Sequence, residues 1–216
     1  MTHKYDEDYF ERGVETGKSL YSNYRWIPEL TIPMCAELIM QLKIGPEDTI
    51  LDFGCAKGFI VKALRLLHRE AYGVDISEYA IKQASEDVAQ YLSPVSSAGP
   101  YPVFGNKRYY DWAIAKDVLE HIAYNDIDCV LANLSDVCHN AFIVVPLGNS
   151  DKYYVDSYEL DVTHIIREEL DWWSHKFSRY FNVISQEYKM KHIKENYSQY
   201  KKGNGFFILH SLNNND

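Results

Sequence analysis

Hydrophobic residues along this chain form short apolar runs, separated by stretches in which they recur at helical spacing. The apolar runs predict β-strands over residues 49–53, 71–75, 103–104, 112–118, 141–146, 180–188 and 205–210. The helical spacing predicts helices over residues 6–12, 33–43, 60–68, 78–91, 125–137 and 165–176. Because strands alternate with helices, we predict right-handed crossover units in a doubly wound α/β architecture.

The last two predicted strands differ from the others because no helix of adequate length lies between them. Residues 189–204 form a long polar connection, so we expect an antiparallel hairpin at one edge of the sheet. Residues 1–44 are rich in tyrosine and charge, and we expect them to form an N-terminal lid and a leading helix. Residues 45–216 are then the core of the protein.

Composition excludes several classes of partner. The chain has 216 residues and a net charge of -9, and its lysines and arginines form no basic stripe, so we expect neither nucleic acid nor an anionic membrane as a partner. No apolar run reaches membrane-spanning length and the first residues lack the apolar core of a signal peptide, which favours a cytoplasmic protein. We predict neither a disulfide nor a metal site, because no CxxC pair occurs among Cys35, Cys55, Cys129 and Cys138.

The most informative segment runs from Thr49 to Phe59, where a strand carrying Asp52 passes through a turn containing Gly54 and Gly58 into a helix. Glycine lets the backbone come close to a ligand. The next strand ends in a second acid, Asp75, and this pairing is how doubly wound folds hold an adenosine-containing ligand. The alternatives are glycines needed only for packing, and an Asp75 that only caps the following helix.

These residues, together with two later segments, resemble class I S-adenosylmethionine-dependent methyltransferases. Residues 52–58 are similar to the acid-x-Gly-x-Gly-x-Gly motif of that family, although Ala56 replaces the middle glycine. Residues 116–121 resemble the motif that ends the family's fourth strand, and residues 141–148 resemble its fifth strand. The resemblance implies a seven-stranded, mostly parallel sheet with one antiparallel strand, and S-adenosylmethionine as cofactor with S-adenosylhomocysteine as product.

The resemblance also assigns roles to residues around the turn. It implies that Asp52 holds the methionine amino group and that Asp75 holds the ribose hydroxyls, while Asn106 either accepts from the adenine amino group or only forms a turn. The predicted cofactor-binding residues are Asp52, Gly54, Cys55, Ala56, Gly58, Asp75, Ile76, Asn106 and Tyr24.

Three residues are candidates for catalysis: His121, His164 and Asp117. Histidine titrates in the range that suits proton removal from a hydroxyl acceptor. His121 follows the fourth predicted strand, at the edge where ligands bind in such sheets, and His164 follows a polar loop facing the same edge. The alternatives are a helix-face role for His121 and a helix-start role for His164, while Asp117 contacts either the cofactor or the acceptor.

The resemblance implies methyl transfer to a small-molecule acceptor. Residues 5–10 and 161–164 are similar to methyltransferases encoded beside glycosyltransferases for surface polysaccharides. We therefore expect O-methylation of a sugar, nucleotide sugar or glycan precursor by a monomer or homodimer. The alternatives are N-methylation of a small amine, such as a phosphorylated amino alcohol, and a non-catalytic partner subunit that binds S-adenosylmethionine.

Overall fold

The computed structural model describes residues 4–105 and 107–213. The helices are α1 (Glu7–Glu11), α2 (Gly13–Thr16), α3 (Pro28–Leu42), α4 (Phe59–Leu66), α5 (Glu78–Lys82), α6 (Glu86–Ala89), α7 (Ile127–Val137) and α8 (Leu170–Phe177). The strands are β1 (Thr49–Phe53), β2 (Glu70–Asp75), β3 (Leu92–Pro94), β4 (Tyr110–Lys116), β5 (Cys138–Pro146), β6 (Phe181–Glu187) and β7 (Asn204–Ser211). Within these two ranges, no helix has the length and apolar character needed to cross a bilayer.

All seven strands form one sheet in the order β3-β2-β1-β4-β5-β7-β6. The strands from β3 to β5 are parallel, and β7 runs antiparallel to both of its neighbours, β5 and β6. The predicted doubly wound, mostly parallel sheet with one reversed strand is therefore confirmed, including the terminal hairpin. Because β1 lies between β2 and β4, the carboxyl ends of these three strands meet in the middle of one edge, where ligands bind in such sheets.

Helices cover both faces of the sheet. Leu51 and Ala113 belong to the buried cluster that includes residues of α7 and α8, whereas Ile50 and Ile114 belong to the cluster that includes residues of α3 and α4. Side chains alternate between the faces along a strand, so Asp52 shares its face with Ile50. A carboxylate therefore lies at the edge of an otherwise apolar layer.

Two helices in the first half of the chain differ from their predicted limits. α3 begins at Pro28 rather than at Pro33, because Pro28 takes the first helical position, where its missing N–H is tolerated. The helix predicted over residues 78–91 is instead the pair α5 and α6. The chain leaves helical geometry at Ser85, whose ψ is 148°.

The start of α8 also differs from its prediction, at Leu170 rather than at Ile165. The backbone amides of Ile165 and Ile166 donate to the carbonyl of Glu120, at 2.7 and 3.0 Å. These tertiary hydrogen bonds hold the segment in a non-helical conformation and fix it against the carboxyl edge of the sheet. They place His164 beside Glu120.

The strand predicted over residues 103–104 is wrong. The third strand is β3, which pairs in parallel with residues 73–75 of β2; its three residues are too few to show an alternating pattern. Asn106, predicted from the position of the third strand, falls outside the described residues. Its neighbour Gly105 lies beside Glu70, at the amino end of β2 and away from the edge that carries Asp75.

Candidate active site

A cavity of about 710 Å³, partly open to solvent, lies at the carboxyl ends of β1, β2 and β4. Six of the predicted site residues line it: Gly54, Ala56, Asp75, Ile76, Asp117 and His121. The other lining residues are Tyr5, Tyr9, Phe10, Tyr21, Phe53, Val74, Val95, Ser97, Tyr101, Val118 and Ile122.

The turn after β1 comes close to the rest of the site because of its backbone conformation. Gly54 has φ 80°, and a Cβ atom at this position would lie 2.4 Å from a methyl group of Val118, so only glycine fits. Gly58 caps the start of α4 with φ 76°. Cys55 is buried below the turn, where its side chain fills the space above Gly73, and so it supports the turn from underneath.

Ala56 takes the left-handed conformation, with φ 48°. Its amide donates a hydrogen bond of 2.7 Å to Oδ2 of Asp75, and the amide of Ser77 donates to Oδ1 at the same distance. Burial raises the pKa of Asp75, and these amides oppose that rise. Ser77 caps α5 by accepting from the amide of Ala80, so Asp75 is not the side chain that caps this helix.

Asp52 lies below the turn and does not line the cavity itself. It is 2 % exposed, and its Oδ2 atom has no hydrogen-bond partner among the described residues. Burial, followed by the charge of Asp75, raises the pKa of Asp52 to about 8. An unpartnered buried carboxylate is costly, so this position fits a ligand that brings a positive charge, as the methionine ammonium of S-adenosylmethionine does.

The N-terminal segment covers the cavity with aromatic rings. The carbonyl of Tyr5 accepts a hydrogen bond of 2.6 Å from Ser77, which fixes this segment to α5. Tyr24 packs against Phe59 and Tyr21, with ring centroids 5.0 and 4.6 Å away, and so it lies beside the cavity rather than in its wall. The N-terminal segment therefore covers the carboxyl edge, where the sequence placed a lid, and its action as a lid stays a prediction.

Lys57 joins this lid to the glycine turn. Its ammonium group donates to the backbone carbonyl of Tyr24 at 2.7 Å and forms an ion pair with Glu11 of α1. The side chain of Lys57 is 11 % exposed, so both interactions are largely shielded from water. The position of the lid is therefore linked to the conformation of the turn.

His121 is held by a chain of hydrogen bonds. The hydroxyl of Thr163 donates to Oδ1 of Asp161 at 2.6 Å, so its oxygen accepts from Nδ1 of His121, 2.7 Å away. This arrangement puts the proton on Nδ1 and leaves the lone pair on Nε2. Burial and the neighbouring His164 lower the pKa of His121, and the imidazole is neutral near neutral pH. Tyr9 donates to Oδ2 of Asp161 at 2.8 Å, which connects the lid to the same chain.

His164 lies next to His121, with ring centroids 4.6 Å apart. Its Nδ1 donates to the carbonyl of Tyr158 at 2.8 Å, and its Nε2 lies 3.9 Å from Oε1 of Glu120. Glu120 is 1 % exposed, and its Oε2 lacks a partner among the described residues. Burial, followed by the charge of Asp117, raises the pKa of Glu120. Sequence reasoning included Glu120 only in the motif over residues 116–121 and gave it no role, because nothing in the local pattern marks it as buried.

Asp117 lines the cavity, but both of its oxygens are engaged. Lys116 donates to Oδ2 at 2.6 Å, and Lys194 donates to Oδ1. Although burial opposes it, the two lysines lower the pKa of Asp117, which remains a carboxylate. Lys194 comes from the polar connection between β6 and β7, and nothing in the local sequence marks it as part of the site.

The wall near Asp75 contains residues that the sequence did not identify. Val95, Ser97 and Tyr101 line the cavity after β3, and the ring of Tyr101 packs edge-on against Phe53 at 4.9 Å. They were missed because the third strand was predicted about ten residues too late in the chain. They form the part of the cavity wall that comes after β3, the strand that pairs with β2 and lies beside Asp75.

Residues 51–140 match the sequence profile of a methyltransferase domain. No curated protein sequence matches the chain significantly. Among solved structures, a S-adenosylmethionine-dependent methyltransferase from Archaeoglobus fulgidus has a TM-score of 0.61 at 15% identity, over 85% of this chain and 97% of that one. The PH0226 protein from Pyrococcus horikoshii OT3 has a TM-score of 0.62 at 15% identity, over 98% and 99% of the two chains.

A third similar structure comes from the complex between the Haloferax volcanii Trm112 methyltransferase activator and a methyltransferase. It has a TM-score of 0.61 at 14% identity, over 85% of this chain and 91% of that one. At these identities the structural matches show a shared fold. The match over residues 51–140 is the finding that bears on activity.

Proposed function

We propose that this chain, a methyltransferase that takes S-adenosylmethionine as its methyl donor, methylates a hydroxyl group on a small polar acceptor of the sugar or nucleotide-sugar class. The enzyme class and the donor rest on the methyltransferase domain over residues 51–140. The choice of a hydroxyl acceptor rests on the surroundings of His121. A neutral imidazole beside the cavity, oriented by Thr163 and Asp161, suits an acceptor that must lose a proton.

The residues around the glycine turn fit the cofactor. Asp52 supplies the unpaired carboxylate for its ammonium group, and each oxygen of Asp75 already accepts one backbone amide and can accept a ribose hydroxyl as well. Gly54 and Ala56 form the wall between them. The cofactor supplies an electrophilic methyl group on a sulfonium sulfur.

The lid favours a small acceptor. Four aromatic side chains of the N-terminal segment, Tyr5, Tyr9, Phe10 and Tyr21, line the cavity and limit its opening. A covered site excludes water and aligns the reacting groups, and alignment provides most of the acceleration in methyl transfer. The tyrosine rings also offer flat apolar faces and hydroxyls, a combination that suits the mixed surface of a sugar.

The same aromatic lining supports a second candidate, N-methylation of a small amine. The faces of tyrosine rings attract cations, so an ammonium-bearing acceptor or product would be held among Tyr5, Tyr9 and Tyr21. A third candidate is a partner subunit that binds the cofactor without catalysis. A structure of similar fold occurs with the Trm112 methyltransferase activator, so we also propose that a protein partner is compatible with this fold.

An acceptor panel tests the proposal. The protein is incubated with methyl-labelled S-adenosylmethionine and four groups of acceptors: sugars, nucleotide sugars, phosphorylated amino alcohols and simple amines. We expect label on hydroxylated acceptors, with turnover reduced at least tenfold by His121→Gln while cofactor binding, measured by calorimetry, is retained. Label on amines alone would favour N-methylation, and tight cofactor binding without turnover on any acceptor would favour the partner subunit.

A further inference from the structure

The side chains of Glu120, His121 and His164 converge beside the cavity, where His121 is the one of the three that lines it. One potential ligand atom from each lies within 4.8 Å of the other two. We propose that they bind a divalent transition-metal cation, which receives the acceptor's hydroxyl oxygen. The cation site stands on these three residues alone. Its role toward the acceptor rests on the proposed function, and in the metal-bound site the cation, rather than the Nε2 lone pair of His121, promotes loss of the hydroxyl proton. The proposal replaces the expectation, drawn from the cysteine spacing, that the protein has no metal site.

The state of Glu120 is the first reason. Its side chain is buried at 1 % exposure, and Oε2 has no partner among the residues that the structure describes. The ammonium groups of Lys116 and Lys194 are bonded to Asp117. Their charges also act on Glu120, but among the described residues neither lysine forms an ion pair with it. A buried carboxylate requires a compensating charge, and a cation between Glu120 and the two imidazoles would provide it.

The hydrogen bonds of the two imidazoles are the second reason. A histidine that binds a metal usually donates its other ring N–H to a carbonyl or another oxygen, which fixes its orientation. His164 donates from Nδ1 to the carbonyl of Tyr158, and His121 donates from Nδ1 to Thr163, which is itself bonded to Asp161. In both rings the lone pair is therefore on Nε2, the form that a cation requires.

The distances require a small adjustment. Donors bound to one tetrahedral cation lie about 3.4 Å apart, given metal–ligand bonds of about 2.0–2.2 Å. His164 Nε2 and Glu120 Oε1 are 3.9 Å apart, and the widest separation in the group is below 4.8 Å. Closing the group requires movements of about 1 Å or less by each ligand atom.

The ligand set indicates which cation binds. Two imidazole nitrogens and one carboxylate suit Zn²⁺, Fe²⁺, Co²⁺ or Mn²⁺, and leave coordination positions open. Mg²⁺ and Ca²⁺ prefer oxygen ligands. Since His121 lines the cavity, an open position can face the acceptor.

A bound cation would lower the pKa of the coordinated hydroxyl. In the reaction the hydroxyl proton passes to solvent, the acceptor oxygen forms a bond to the methyl carbon, and the methyl–sulfur bond breaks with its electron pair on sulfur. The products are a methyl ether and S-adenosylhomocysteine, so atoms and charge balance without another reactant. The cation is neither consumed nor oxidised.

Binding of Co²⁺ alone to chelator-treated protein tests the site. We expect one Co²⁺ per chain, measured by elemental analysis and by the visible absorption of the ion, and weaker binding of Mg²⁺. Glu120→Gln, which preserves shape, and His164→Gln should each weaken Co²⁺ binding at least tenfold. The exposed His175→Gln, on α8, is the matched control and should leave it unchanged. Melting temperature and S-adenosylmethionine binding show whether each variant is folded.

The results separate this proposal from the proposed function. Absence of Co²⁺ binding, or binding that folded Glu120→Gln and His164→Gln variants retain in full, overturns the metal site. Methyl transfer to a hydroxylated acceptor that persists in chelator shows that the cation has no role toward the acceptor, although the proposed function then stands. Metal binding that depends on these residues, without turnover on any hydroxylated acceptor, leaves the site in place and overturns the proposed function.

Discussion

We predict that the stability of the cofactor-free Asp52→Asn variant, compared with that of the wild type at the same pH, increases as the pH rises. Burial raises the pKa of this carboxyl from 3.8 to about 8 in the fold. An acid whose pKa is raised by folding makes its full contribution to the free energy of unfolding at a pH below its pKa in the unfolded chain. This contribution is lost as the pH rises through the pKa in the folded protein. At pH 7 the loss is about 4 kcal/mol, at about 1.36 kcal/mol per pH unit.

The amide introduced by Asp52→Asn does not ionise, so the substitution removes this pH dependence. A buried amide without partners costs about 1–3 kcal/mol, but that cost is the same at every pH. The melting temperature of the variant relative to the wild type should therefore rise by roughly 10 °C between pH 4 and pH 8. Thermal melts of both proteins at several pH values measure it, with the exposed loop variant Asp151→Asn as the control.

Cofactor binding gives a second readout for Asp52. If the cofactor's ammonium group pairs with Asp52, binding at pH 7 should release about 0.9 proton, because the carboxyl is mostly protonated beforehand. Calorimetry in buffers of different ionisation heat measures this release. Asp52→Asn should abolish it and weaken binding by roughly 30- to 100-fold, or about 2–3 kcal/mol. A melting difference that does not change with pH, together with binding that releases no proton, would refute the reasoning.

Three further substitutions test the turn, the lid and the core. Ala56→Gly should stabilise the protein by about 1 kcal/mol, seen as a melting temperature roughly 2–4 °C higher, because glycine adopts φ 48° without strain; a lower melting temperature would contradict this. Lys57→Met removes the partner of Glu11 and of the Tyr24 carbonyl. It should speed proteolysis of the lid and weaken cofactor binding about tenfold. Unchanged proteolysis would show that other contacts hold the lid. Trp173→Phe should cost less than about 2 kcal/mol in urea unfolding, because it removes a buried indole N–H that lacks a partner among the described residues; a cost near that of a cavity-forming change would count against it.

The sequence by itself determined the parts of the fold that depend on residues close together in the chain. β1 was predicted residue for residue, and β4 and β5 within three residues at each end, because their apolar runs are long enough to show a pattern. The turn containing Gly54 and the acid that ends β2 were also recognisable, since their chemistry lies within a few residues of a strand end. These features brought Gly54, Ala56, Asp75 and His121 to one cavity.

Only the tertiary structure decided which side chains meet there. Thr163 and His121 are 42 residues apart in the chain, and Lys194 and Asp117 are 77 apart; no local periodicity encodes such contacts. β3 was misplaced because it is a strand through its pairing with β2, not through its own three residues. A local pattern reports which face of an element is buried, whereas the partners across the cavity follow from how the chain folds back on itself.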